Sequence, residues 1–469
     1  MNAAFVDRRF GFLSVAVVAA LGCGARSLDG GSPDGGGADH PSPAFTSGPA
    51  DGTGVAGSPP VVNGIAGSQG PPGSVGQAGF GGQAGAGGSA AGDGSSSCPG
   101  PSPDGGVAFA APVESSTNRR PFSVAVGDLN GDGKPDLVVL DELERDLVAG
   151  VDAGALGVGG YDTGSVSVFL ASATGFGPPA HVRLGTRPTS VALGDLDGDG
   201  KPDVAVVDGE GVAVLLNDGS GALLPPVTFS TGSGPIAVVV GDLDGDGKGD
   251  LAVANRGTAN TSDGTLAGGD VAILLNQGSG AFVATNYAAG PSPTALALGD
   301  LDGDGKGDLA VASGTGVTVL INGGKGTFPT PVSYAAGTNP LAVAIGDLNA
   351  DAKPDLALTR GGGASVAFNA GNGTFTAAVN YKYVAGYGPL VIGDVNGDGH
   401  PDLVGPGDYD CGGVALALNG GKGTFPTAVI VGQQYRYVPE ARLADLNGDG
   451  KLDLVVPHVD SVGVFLNAR

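Results

Sequence analysis

Tryptophan is absent from the 469-residue chain, methionine occurs once, and aromatic residues make up only 5% of it. A core built on large rings is thereby excluded, and the 92 glycines point instead to many turns and thin, closely packed layers. Basic residues are also scarce: 22 Lys and Arg against 47 Asp and Glu leave a formal charge of −25. A nucleic-acid binder needs a basic stripe, so that class is set aside. The four histidines, His40, His181, His400 and His458, are scattered, and no nucleophile elbow, zinc signature or P-loop accompanies them.

Long apolar runs are missing too. The longest near the start, Phe10 to Leu21, has twelve residues, too short for a membrane span. It follows Arg8 and Arg9 and precedes Ala20-Leu21-Gly22-Cys23, so residues 1–23 read as an export signal. The ending resembles a bacterial lipoprotein signal, in which Cys23 would carry lipid; simple secretion is the rival reading. The other two cysteines, Cys98 and Cys411, would then form an even pair in an oxidising compartment, either as a disulfide or as two unrelated thiols. Residues 24–106 are rich in Gly, Ser, Pro, Ala and Gln and cannot bury enough surface to offset chain entropy. They read as a disordered tether; strict glycine at every third position fails, which excludes collagen.

From residue 107 to 469 a repeat takes over. Each unit has an alternating apolar strand ending in Gly-Asp, an Asp-rich loop, and a second strand opening with Asp-Leu or Asp-Val. A third strand of the type Val-x-Val-Leu-Leu-Asn, a Gly-x-Phe turn and a fourth strand follow. The alternation and β-branched content favour strands throughout. The loops begin at Asp128, Asp195, Asp242, Asp300, Asp347, Asp394 and Asp445, spaced by 67, 47, 58, 47, 47 and 51 residues. The two long intervals hold insertions at 141–163 and 255–268. Four antiparallel strands in each such period make a propeller blade, so the fold class is all-β, a seven-bladed β-propeller. The last unit stops after its third strand, while Phe109–Val113 matches the fourth strand Phe328–Val332. The N-terminal strand is therefore expected to complete the last blade and close the ring, hiding edges that an open array would expose.

The loops share the pattern D-x-[DN]-x-D-x-x-x-D. Positions 1, 3, 5 and 9 are Asp128, Asn130, Asp132 and Asp136 in the first; Asp195, Asp197, Asp199 and Asp203 in the second; Asp242, Asp244, Asp246 and Asp250 in the third. The fourth has Asp300, Asp302, Asp304 and Asp308; the fifth Asp347, Asn349, Asp351 and Asp355. The sixth has Asp394, Asn396, Asp398 and Asp402; the seventh Asp445, Asn447, Asp449 and Asp453. Hard oxygen ligands in this number suit Ca2+, and glycine at position 6 permits the turn that would wrap them around it. Position 12 is not Glu but lies within an apolar strand, so the loop is a hairpin rather than an EF-hand, with position 9 expected as the closing carboxylate. The competing reading is a set of Asx turns. Against it, the loops hold 24 of the 47 acidic residues, and such clusters repel without a cation. Six or seven Ca2+ sites are expected, because Ala350 and Ala352 replace both glycines of the fifth loop and make its turn more costly.

The Gly-Asp-Leu-[Asp/Asn]-Gly-Asp-Gly-Lys-Pro-Asp-Leu pattern resembles the FG-GAP/VCBS repeats of bacterial surface proteins and, more distantly, the propeller of integrin α-subunits. Phe176-Gly177-Pro178 alone comes near the name motif. The resemblance covers residue 107 to the C-terminus and implies calcium loops on one face and ligand contacts on the other. The calcium would then be structural. On the opposite face Tyr383, Tyr387, Tyr435, Arg436 and Tyr437 are the ligand candidates, being rigid amphipathic residues favoured at binding surfaces. Tyr381 aligns with Tyr287 and Tyr334 and is read as covering a strand edge. The expected function is an exported, monomeric surface binding or adhesion module for a protein or glycan, touching the membrane only through its lipid anchor. It is not read as an enzyme; a lectin, weakened by the lack of Trp, and a polysaccharide lyase or hydrolase are the alternatives.

Overall fold

The computed structural model describes residues 107–117, 120–142, 164–173, 175–184, 188–259, 266–314, 316–337, 339–360, 363–381, 388–407, 412–435 and 437–468. The signal, the tether, Cys23, Cys98, Cys411, Tyr383, Tyr387 and Arg436 lie outside them. The described residues form seven four-stranded antiparallel sheets and three two-stranded ones, with no helix.

Each large sheet is one blade. In blade 2 the strands run Ser190–Gly194, Asp203–Val207, Val212–Leu215 and Val227–Phe229, paired in that order. Blades 1, 3, 4, 5 and 6 repeat the plan, starting from Arg120–Gly127, Pro235–Gly241, Ala295–Gly299, Ala342–Gly346 and Val391–Gly393. Blade 7 has Arg442–Ala444, Asp453–His458 and Ser461–Phe465 from the end of the chain. Its fourth strand is Val113–Ser116, with Val113 opposite Val464 and Ser116 opposite Ser461. The expected closure is thus observed, and the first strands of neighbouring blades touch around the ring.

The sequence texture follows from position in a blade. Second and third strands are sandwiched between neighbouring sheets and read as near-continuous Val, Leu and Ala; all five residues of Asp203–Val207 are buried. Fourth strands lie on the rim, and their residues are mostly exposed or half-buried. With no tryptophan to fill space, adjacent sheets come close. A Cβ added to Gly194, at the end of a first strand, would stand 2.3 Å from Cγ1 of Val240 in the next blade.

Two further contacts tie neighbouring blades. Tyr287, Tyr334 and Tyr381, each on a fourth strand, meet Phe328, Phe375 and Phe425 of the following blade edge-on at 5.1–5.5 Å. Their hydroxyls donate to the carbonyls of Gly326, Gly373 and Gly423. Tyr381 therefore has the edge-covering role read from its alignment. The second tie is polar. The side-chain amide of Asn217, ending a third strand, donates to Leu129 O in the preceding blade at 2.7 Å. Asn276, Asn322, Asn369, Asn419 and Asn467 repeat this contact at 2.8–3.0 Å.

The junction between blades 7 and 1 is built differently. Ala171 stands where the other blades carry this Asn, its N–H still bonded to Asp136 at 2.7 Å. Here the buried Glu440 accepts from Val124 N–H and pairs with Arg442 at 3.2 Å. Arg442 in turn donates through Nε to Val124 O at 3.0 Å. Blade 7 is held shut by Glu114 of the N-terminal strand, which receives hydrogen bonds from the hydroxyls of Tyr435 and Ser461 and contacts His458 Nε2 at 2.8 Å. Burial pushes the Glu114 carboxyl up, but these three hydrogen bonds outweigh it and hold it below its usual range.

The close approach at Gly194 makes Gly194→Ala overpack the junction of blades 2 and 3, with an expected loss of about 1–3 kcal/mol in a denaturant melt. A change within about 0.5 kcal/mol would show that the two sheets have slack.

Candidate metal centres

Each Asp-rich loop joins the first strand of a blade to its second, so the seven loops lie at the same end of every blade. Backbone geometry explains their composition. In the second loop Gly198 and Gly200 take φ of 88° and 85°, folding the chain back around the side chain of Asp195. Asp195 accepts from Gly198 N–H at 2.7 Å and from Gly200 N–H at 2.9 Å. Asp197 accepts from Asp199 N–H at 3.0 Å, and Asp199 from Lys201 N–H at 2.9 Å. The other loops repeat these bonds. The fifth keeps all of them except the bond from the position-4 N–H, with Ala350 and Ala352 forced to φ of 63° and 64°. The alanines are strained there, yet the turn is made.

This arrangement brings carboxylates together. In the second, third and fourth loops, one oxygen each from positions 1, 3 and 5 lie within 4.8 Å of one another. Those trios are Asp195, Asp197 and Asp199; Asp242, Asp244 and Asp246; Asp300, Asp302 and Asp304. Two oxygens bound to one Ca2+ at about 2.3–2.6 Å can stand at most about 5 Å apart, so the spacing fits that ion. The first, fifth, sixth and seventh loops carry Asn130, Asn349, Asn396 and Asn447 at position 3, which offer a neutral oxygen instead. Donor chemistry and spacing both fit a hard divalent cation.

Position 9 does more than complete a ligand set. Asp203 is fully buried beneath its loop: one oxygen accepts from Leu196 N–H at 2.9 Å, the other from Asn217 N–H at 2.7 Å. Asp136, Asp250, Asp308, Asp355, Asp402 and Asp453 are buried and bonded in the same way. A carboxylate oxygen retains a second lone pair after such a bond, so these residues are both struts and available donors. Burial is the leading influence on their ionisation, ahead of the opposing backbone bonds, and the other loop carboxylates push the same way. It raises Asp203 and Asp250 to about 6 and Asp308, Asp355 and Asp402 to about 7. Asp136 and Asp453 are raised as well.

Sequence reasoning missed the lysine at position 7. Lys134, Lys201, Lys353 and Lys451 lie 3.3–3.7 Å from the position-5 carboxylates of their own loops. Lys248 and Lys306 contact Asp246 and Asp304 in the same way. The signal was present, since six loops carry Lys there and only the sixth has His400. These exposed pairs offset part of the loop charge and contribute little to stability.

The two described ligand candidates part company. Tyr435 is turned inward, 8% exposed, stacked on His458 with 3.9 Å between ring centroids and bonded to Glu114. It closes blade 7 and offers no surface to a ligand, because its hydroxyl satisfies the carboxylate of the closing strand. Tyr437 is 60% exposed and faces a cavity of about 570 Å³. That cavity is lined by the starts of first strands and by the turns between second and third strands, at the opposite end of the blades from the Asp loops.

The repeat family described as FG-GAP-like repeat matches residues 101–139, 146–206, 195–253, 300–358, 347–405 and 394–456. The chain belongs to this family. Its FG-GAP-like repeats thus build a seven-bladed propeller. No curated protein matches the chain. Among solved structures, it is similar to a lectin of Agrocybe aegerita that recognises non-reducing terminal N-acetylglucosamine, at 20% identity, TM-score 0.36, over 56% of this chain and 80% of that one. It is also similar to BBS1N in complex with ARL6DN, at 14% identity, TM-score 0.49, over 77% of this chain and 98% of that one. A third similarity is to the Photorhabdus luminescens Tc holotoxin pore, at 16% identity and TM-score 0.33, over 76% of this chain and 15% of that one.

Two measurements follow from the loop geometry. Replacing Asn322 by Ala removes the side-chain donor to Gly307 O, leaves Leu243 O with only its bond from Gly326 N–H, and takes the acceptor from Gly324 N–H, so a loss of about 1–2 kcal/mol is expected in a denaturant melt. The double change Ala350→Gly and Ala352→Gly should raise stability by about 0.5–1 kcal/mol, since relief of the left-handed strain exceeds the added unfolded-state entropy.

Proposed function

We propose that this FG-GAP-like propeller is a calcium-stabilised binding module, exported to the cell surface, that presents its ligand site on the face opposite the Asp loops. The observation that carries the calcium part is the trio of carboxylate oxygens within 4.8 Å in three successive blades, in loops that seven blades share. An ion held there would tie the first two strands of a blade together, so its binding free energy adds to folding. A monomer tethered through lipid at Cys23, by residues 24–106, would display the propeller away from the membrane. The lipid anchor, and a Cys98–Cys411 disulfide, belong to this same reading of an exported chain. Among the described residues no helix is long and apolar enough to cross a membrane.

The reading as a binder rather than an enzyme rests on the polar clusters. Ser461, His458 and Glu114 stand together, but the hydroxyl at 3.1 Å and the carboxylate at 2.8 Å share one nitrogen, His458 Nε2. A relay from nucleophile to acid needs both ring nitrogens. Ser167, bonded to Asp141 and 2.6 Å from His181 Nδ1, is fully buried and closed to a substrate.

Calcium and protons should compete. The position-9 carboxyls are raised in the folded protein from an ordinary 3.8 to about 6 or 7, so without metal they contribute stability that is fully present below about pH 4 and lost as pH rises through 6–7. Chelator-treated protein should therefore melt at a higher temperature at pH 5 than at pH 8. Added Ca2+ should raise the melting temperature more at pH 8 than at pH 5. A melting temperature indifferent to chelator at pH 8 would contradict the structural-calcium reading.

A further inference from the structure

Six of the seven Asp loops carry a cation of their own. The ammonium of the position-7 lysine reaches one oxygen, Oδ2, of the position-5 aspartate. Lys134, Lys201, Lys353 and Lys451 do so at 3.3–3.7 Å, on Asp132, Asp199, Asp351 and Asp449. Lys248 and Lys306 make the same contact with Asp246 and Asp304. The other oxygen, Oδ1, accepts the position-7 N–H. Both oxygens of position 5 are thus engaged within the loop, one of them by a charge on a partly exposed side chain that can swing into water at little cost. The sixth loop has His400 instead, and there Asp398 Oδ2 accepts from the neutral amide of Asn396 at 2.9 Å.

Net charge sorts the loops into two groups. The second, third and fourth have four carboxylates and one lysine, a net −3. The first, fifth and seventh have Asn at position 3, hence three carboxylates and one lysine, a net −2. The sixth also has Asn at position 3, yet with histidine counted neutral and no lysine it keeps a net −3. In that loop alone, the missing carboxylate is matched by a missing cation. Lys325 and Lys422, in turns between third and fourth strands, form no ion pair with a loop among the described residues. Calcium sites built from oxygen ligands are tuned by the number of ligand charges. A unit charge about 6 Å from a divalent ion in water-like surroundings shifts its affinity about tenfold.

We propose that the residue at position 7 sets the calcium affinity of each loop, its lysine serving as an internal counter-cation displaced when the ion binds. The second, third, fourth and sixth loops then bind tightly, and the first, fifth and seventh about tenfold more weakly. This rests on the structural-calcium reading and gives it a rank order. The test is a competition titration of the full chain against a chromophoric calcium chelator at pH 8. Four tight and three weaker ions per chain are expected. His400→Lys should leave three tight and four weak, and Lys451→Gln should give five tight and two weak. The melting temperature of each variant in saturating Ca2+ should stay within about 2 °C of the parent, because both side chains are at least partly exposed, so a changed division is not a damaged fold. Any other division in the parent chain, seven equivalent sites included, overturns the rank order while leaving structural calcium in place. A division that either substitution leaves unmoved does the same. No calcium uptake at all overturns the structural-calcium reading and the rank order with it.

Discussion

The position-9 aspartate is the interaction on which the rest depends. Its carboxylate is buried and shared between the loop that precedes its strand, through the position-2 N–H, and the third strand, through the N–H of the terminal Asn. The same Asn reaches back across the junction to the preceding blade. One side chain thus fixes a turn, a sheet and, through its partner, a neighbour. Burying an aspartate is tolerable because both oxygens are met by backbone donors, and it leaves a residual electrostatic tension that a divalent cation above it would relieve.

Much of this was legible in the residues. Loop starts in phase with a strand pattern gave seven blades, and the match of Phe109–Val113 to Phe328–Val332 placed the N-terminal strand in the last blade, where it pairs with Ser461–Val464. Alignment of Tyr381 with Tyr287 and Tyr334 identified an edge-covering role for the same reason: a recurring residue in a recurring structure has a structural job. What stayed hidden depended on departures from the repeat. Tyr435 and Tyr437 are two residues apart and equally unusual, yet one is buried against Glu114, more than 300 positions earlier in the chain, and the other faces a cavity. No local pattern distinguishes them. The Ala171 substitution was visible as a missing Asn, but its meaning required knowing what the Asn touches.

The polar groups are distributed differently at the two ends of the blades. Around the Asp loops the charge is concentrated and repeated, partly offset by lysines, and its geometry is set by backbone amides. At the opposite end the charged groups do not repeat from blade to blade: Arg120 meets Glu142 and Glu440 pairs with Arg442, while Asp208, Arg256 and Arg360 each stand in a different blade. Repetition suits a scaffold, because every blade faces the same constraint. Singular features are free to depart from the consensus, because the Asn ties at the other six junctions hold the ring.

The split last blade also orders events in time. The strand Val113–Ser116 is the earliest of the propeller to be synthesised, and the partner it needs, Ser461–Phe465, is the latest. Until that partner is present, the hydrogen-bonding groups of Val113–Ser116 and the Glu114 carboxylate have no blade to join. Closure is then a contact of very long sequence separation, entropically expensive and late. A copy lacking Ser461–Phe465 would therefore keep an open, pairing-competent edge where a finished one has a joined ring.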